Sequence, residues 1–151
     1  MTDDDPRTVF RLLPHTADLR LEIRGPDLQG LVRNAVAAFN CLLELPPDSG
    51  PRRSSSLEEL VVSGSDPEDA LVRLLGELLY RAETEHTRFD LDTLCLVRTG
   101  EQALEIRLSG DWRPFPPESR QGQLEIKAVT YHGARIRQDG DGMVAEVILD
   151  V

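Results

Sequence analysis

The sequence predicts an α+β fold: a mostly antiparallel or mixed β-sheet with two amphipathic helices packed on one face. Three observations carry this. Two segments repeat apolar residues every three or four positions, several shorter runs alternate apolar with polar residues, and bends rich in Pro and Gly separate them. A chain of 151 residues has the length for one domain, spanning residues 1–151.

The first strands are expected at residues 8–13 and 19–24. In the second, Leu19, Leu21 and Ile23 alternate with Arg20, Glu22 and Arg24, the period of a half-buried strand. Between them lies the polar bend Pro14-His15-Thr16-Ala17-Asp18. Gly25-Pro26 ends the strand and Asp27 is placed to cap a helix over residues 28–44. Leu28, Leu31, Val32, Ala35, Phe39, Leu42 and Leu43 give that helix one apolar stripe, and Pro46-Pro47 stops it. A loop runs from Pro46 to Ser56, then Leu60, Val61 and Val62 mark a strand. Ser65-Asp66-Pro67 opens a second helix, whose buried face is Leu71, Leu74, Leu75, Leu78 and Leu79.

The remainder reads as a β meander. Leu94–Arg98 and Ala103–Ser109 flank a turn at 99–102, and residues 124–137 and 143–151 flank Asp139-Gly140-Asp141-Gly142. Pro114, Pro116 and Pro117 stiffen the connection between the two hairpins. The last strand is apolar in both phases except at Glu146 and Asp150, which predicts a central strand covered on both faces.

A formal net charge of −10 disfavours a broad, sequence-independent grip on phosphate backbones, which needs clustered Lys and Arg. It suits binding of cations or docking on a basic partner. The amino-terminal residues lack a signal peptide's basic and apolar regions, and no apolar run reaches membrane-spanning length. Cys41 and Cys95 fall inside apolar patterns and read as buried thiols of a reducing compartment, so a cytoplasmic location is expected.

Nucleophilic catalysis has no visible candidate: there is no phosphate-binding Gly loop, no zinc-type Cys pattern and no Ser elbow. His15, His86 and His132 are scattered and read as structural or surface residues. The suggestive polar groups are acidic. Asp18 closes the first bend, and Asp150 lies beside the carboxylate of Val151. Adjacent anionic oxygens repel unless a cation sits between them, and oxygen-rich sites suit hard cations. On spacing alone, hydration of both carboxylates at a frayed end is the simpler account, and the apolar strand leading into Asp150 weakens it.

Four blocks carry a family resemblance: His15-Thr16-Ala17-Asp18, Gly76-Glu77-Leu78-Leu79-Tyr80 with Thr84-Glu85, Glu125 to His132, and Val147-Ile148-Leu149-Asp150-Val151. In this order, from residue 15 to the last, they resemble the archease family. The resemblance implies a compact α+β protein that helps an RtcB-type RNA ligase reach its guanylylated state in tRNA splicing or RNA repair. It also implies a divalent cation, typically Ca²⁺ with Mg²⁺ or Mn²⁺ as substitutes, held by Asp18, Asp150 and the carboxylate of Val151. Lys127 is implied in partner activation; its residue-level reading is a solvated strand lysine. On this reading the chain has no catalytic residue of its own, binds a protein partner, and neither enters membranes nor binds nucleic acid strongly.

Two departures stand out. Leu19-Arg20 occupies positions where the family usually has a small residue, and a guanidinium there can pair with Asp18 and lower cation affinity. Pro116-Pro117-Glu118 with Arg120 replaces the family's Asp-Pro-Glu and His. The alternatives are a metal-dependent hydrolase that positions water with Asp18 and Asp150, and a general chaperone-like module for nucleic-acid-modifying enzymes.

Overall fold

The computed structural model describes residues 9–15, 18–43, 57–120 and 125–151; of Pro14, His15 and Arg120 it describes only the backbone. Thr16 and Ala17 of the first bend, the loop expected from Pro46 to Ser56, and Leu124 of an expected strand lie outside the described residues. The elements run β1 (Phe10–His15), β2 (Asp18–Gly25), α1 (Leu28–Leu42), β3 (Glu58–Gly64), α2 (Pro67–Thr84), β4 (Thr87–Arg98), β5 (Leu104–Pro114), a short 3₁₀ turn (Pro117–Arg120), β6 (Ala128–Asp139) and β7 (Gly142–Asp150). None of the helices is long and apolar enough to cross a membrane among the described residues.

Both helices start from the same local device. Asp27 caps α1 by accepting the Gly30 N–H at 2.7 Å, and Asp66 caps α2 by accepting the Asp69 N–H at 2.7 Å. The preceding strand ends in Gly25 in one case and Gly64 in the other. A Cβ at either would run into the helix backbone six residues on, at Leu31 or Ala70. Close passage of strand end and first helical turn is what demands glycine there.

The strands form two antiparallel sheets, β1-β2-β7-β6 and β3-β5-β4. The α+β class with two helices therefore holds, with the strands divided between two sheets. Each helix serves both: α1 packs on β2, β7 and β4, and α2 packs on β6, β3, β4 and β5. The residues of α1 left exposed are Gln29, Arg33, Ala37 and Cys41, a single line four apart, so most of its circumference is free to meet two sheets. Leu21, Ile23, Ala145, Val147 and Leu149 face inward from one sheet, and Leu104, Ile106, Leu108 and Phe89 join the same core from the other. Polar ties cross the layers: Asn40 Nδ2 donates to the Phe89 carbonyl at 3.0 Å, and Tyr131 donates its hydroxyl to Asp66 at 2.9 Å.

β7 is interior to its sheet, between β2 and β6, as its apolar sequence requires. The expected strand from 124 begins only at Ala128. Its partner β7 ends at Asp150, which pairs with Ala128, so residues further upstream have no strand to meet. The thiols correct another expectation: Cys41 and Cys95 are free but exposed. Cys41 belongs to the outward line of α1, and Cys95 takes the phase of β4 opposite to Leu94 and Leu96.

Candidate functional site

The antiparallel register between β2 and β7 pairs Leu19 with Leu149, Arg20 with Ile148 and Glu22 with Glu146. One further step along it sets Asp18, the first residue of β2, across from Asp150, the last of β7. Opposed residues project to the same face, so both carboxylates belong to the outer face of the sheet. On the other side of β7, Lys127 donates its backbone N–H to the Asp150 carbonyl at 2.7 Å. The Lys127 side chain is exposed. Val151 packs its side chain against the core and so fastens the strand end that carries Asp150. The fold thus gathers Asp18, Lys127, Asp150 and Val151 at one corner from three distant parts of the chain.

Neither Asp18 nor Asp150 forms an ion pair or side-chain hydrogen bond with another described residue. Like charges directly opposite on adjacent strands are unfavourable, and a divalent cation between them removes the conflict. The donor set at this corner therefore fits a hard cation, but only in part. No group of three or more His, Cys, Asp or Glu side chains suited to a metal occurs among the described residues. Further oxygens would come from backbone carbonyls, water or a ligand.

Beside the corner, the outer face forms a groove of about 410 Å³ lined by Asp18, Arg20, Thr130, His132, Gly133, Arg135, Glu146 and Ile148. One wall is a wide bulge in β6. Thr130 pairs with Ile148 and Arg135 with Glu146, so four residues, 131–134, stand against Val147 alone. Gly133, at φ 79°, brings the bulge over Ile148. The Thr130 hydroxyl lies 3.3 Å from the His132 carbonyl and 3.4 Å from that of Ile148, tying the bulge to β7. Arg20 does not pair with Asp18. Its ion-pair contact is Glu146, at a long 3.9 Å, and its Nε is buried without a hydrogen-bond acceptor among the described residues.

Further along the same face, Glu22 is only 4% exposed and is held by Arg11 Nε at 2.9 Å and by Arg24 at 3.1 Å. Arg24 also reaches Asp139 at 2.7 Å. This network staples β1, β2 and the β6–β7 hairpin, and so steadies the sheet on which the corner stands. Glu146 had a signal in the sequence, as one of two polar interruptions in an apolar strand. Thr130 fell inside the family block Glu125 to His132, whereas Arg135 and Gly133 had no signal, because the bulge that aims them depends on a register no local pattern encodes.

These features define a two-helix, two-sheet α+β protein whose polar groups converge on a carboxylate pair at the end of its central strand. The model of the Archease protein family (MTH1598/TM1083) matches residues 10–151, and the chain belongs to the archease family. The chain is 32% identical to protein archease of Archaeoglobus fulgidus over 142 residues, 94% of this chain and 98% of that one. Against protein archease of Methanosarcina acetivorans it is 31% identical over 143 residues, 94% and 95% of the two chains. Two solved structures share the fold. The solution structure of protein 1598 of Methanobacterium thermoautotrophicum matches with a TM-score of 0.65 at 22% identity, over 95% of this chain and 99% of that one. The crystal structure of an archease, described as a possible chaperone, from Thermotoga maritima matches with a TM-score of 0.57 at 20% identity, over 93% and 96%.

Proposed function

We propose that this archease-family protein is a non-catalytic, cytoplasmic accessory protein that activates an RtcB-type RNA ligase, with a cation-dependent corner as its working part. The observation that carries the reading is the convergence of Asp18, Asp150 and Lys127 at one corner, with neither carboxylate paired to another described residue. Asp18, Asp150 and the Val151 carboxylate would hold a divalent cation, Ca²⁺ or in its place Mg²⁺ or Mn²⁺. A cation there supplies positive charge that an anionic group of the partner or its nucleotide can approach. The exposed Lys127 would present its ammonium beside it as a point charge. The net charge of −10 suits encounter with a ligase whose RNA-binding face is basic, chiefly through the rate of association.

The test is multiple-turnover RNA ligation by the partner with substoichiometric amounts of this protein. Stimulation is expected in the mixture, and no change in RNA or GTP with this protein alone. Asp18→Ala and Asp150→Ala should abolish stimulation while leaving the circular dichroism spectrum intact. Lys127→Ala should impair stimulation without altering cation binding. Phosphoester hydrolysis by the purified protein at Asp18-dependent rates would overturn the accessory role in favour of a metal-dependent hydrolase. Stimulation of unrelated nucleic-acid-modifying enzymes to the same degree would replace the ligase by a general chaperone-like role.

A further inference from the structure

We infer that the groove beside the carboxylate corner is a phosphate subsite, in which Arg20 and Arg135 bind the phosphate group of a monoester. The argument starts from Arg20. Its Nε is withdrawn from solvent with no acceptor among the described residues, and its one carboxylate contact is long. A guanidinium donor left undonated in a partly buried position gains from any anion that reaches it, and a planar guanidinium matches phosphate oxygens two at a time.

Arg135 is the second donor. It stands directly across from Glu146 in the register yet forms no ion pair within 4.0 Å with a described residue, and it lines the same groove. Glu146 stands across from Arg135 in the register and approaches Arg20 only at 3.9 Å, too far for a hydrogen bond, so it leaves the Arg20 fork open to a second anion. The bulge supplies the rest of the wall. Gly133 keeps side-chain bulk out where the backbone crosses Ile148, and the Thr130 hydroxyl stands at the groove's edge. At about 410 Å³ the groove exceeds a bare phosphate and has room for part of the group esterified to it. Two arginines in a discrete groove are also compatible with a chain of net charge −10, which disfavours a broad polyanion grip and not a single anion. The subsite rests on Arg20 and Arg135 and does not require the cation-binding reading of Asp18 and Asp150.

The experiment is a titration of the full-length protein by amide-resolved NMR at low ionic strength, in the presence of EDTA. The probes are inorganic phosphate, guanosine 5′-monophosphate and a short 5′-phosphorylated oligoribonucleotide. Saturable shifts are expected at Arg20, Thr130 to Arg135 and Ile148, and unphosphorylated guanosine should leave them in place. Arg20→Gln and Arg135→Gln should each weaken binding about tenfold, the effect of losing one charge-assisted contact, whereas Arg73→Gln on α2 should not. Arg20→Lys keeps the charge but removes the planar fork, and should fall between. Tightest binding of the monophosphate would identify a free nucleotide as the source, and of the oligomer an RNA end. Asp150→Asn should retain phosphate binding even if it loses cation binding, so the two readings fail separately. Shifts that do not saturate, or that persist unchanged in the Arg20→Gln, Arg135→Gln double variant, would overturn the subsite.

Discussion

Removing a negative charge from the corner should change the sign of its effect on stability when a divalent cation is supplied. Asp18 and Asp150 oppose each other across β2 and β7, and neither has a cationic partner among the described residues. Opposed side chains in a sheet lie about 5 Å apart at Cβ. Two unit charges at that distance repel by about 0.8 kcal/mol even at the dielectric constant of water. In EDTA, Asp150→Asn should therefore raise unfolding free energy by roughly 0.5–1 kcal/mol, or the melting temperature by about 1–4 °C for a chain of this size. With Ca²⁺ at about one hundred times its dissociation constant, the parent protein should gain about 2.7 kcal/mol by mass action. The variant should gain little, so the order of stability inverts. Urea unfolding followed by circular dichroism, with EDTA or Ca²⁺, reads both halves. A variant less stable than the parent in EDTA would show that the Asp150 carboxylate has a favourable partner and does not face an uncompensated Asp18. Identical midpoints of the parent with and without Ca²⁺ would remove the cation from the corner.

Other expectations follow from the same geometry. Gly76, inside α2, has nothing within 4 Å of where a Cβ would stand, so Gly76→Ala should stabilise by about 0.5–1 kcal/mol in thermal unfolding. Gly64→Ala should destabilise markedly instead, because its Cβ would meet the Ala70 backbone. Glu22→Gln should cost roughly 1–3 kcal/mol in urea unfolding, since it leaves Arg11 and Arg24 without the buried carboxylate both contact. Acid titration of stability should expose two carboxylates. Asp69 lies below its ordinary value of 3.8, chiefly through the Ser65 N–H and then Arg73, and Asp139 lies below it through Arg24. Each binds its proton more weakly in the folded chain than in the unfolded one. Their stabilisation is thus present above the unfolded value and is lost as pH falls through the folded one. Arg24→Gln should flatten that acid dependence, and an unchanged profile would count against the Asp139 contribution.

The sequence by itself determined what depends on a few neighbouring residues. Asp27 and Asp66 as caps, the leucine faces of both helices, the tight turn after Asp139 and the central place of the last strand are each written within one segment. A helical stripe or an alternating strand is a periodicity of one stretch of backbone, and a cap needs only the next three residues. The family blocks also lay open to reading, and with them Asp18, Lys127, Asp150 and Val151. What no local pattern carries is the pairing of stretches far apart in the chain. The division of the strands into two sheets depends on how two helices, each buried over most of its circumference, fill the space between them. The opposition of Asp18 and Asp150 depends on the β2–β7 register, fixed when Leu21, Ile23, Val147 and Leu149 turn their common phase to the core. A slip of β7 by one residue against β2 would send Asp150 to the other face and part it from Asp18. The bulge at 131–134, and with it the meeting of Arg20, Arg135 and Glu146 in one groove, exists only once β6 has found β7. Tertiary packing decides it, because the burial that rewards the register is shared among elements that no single segment contains.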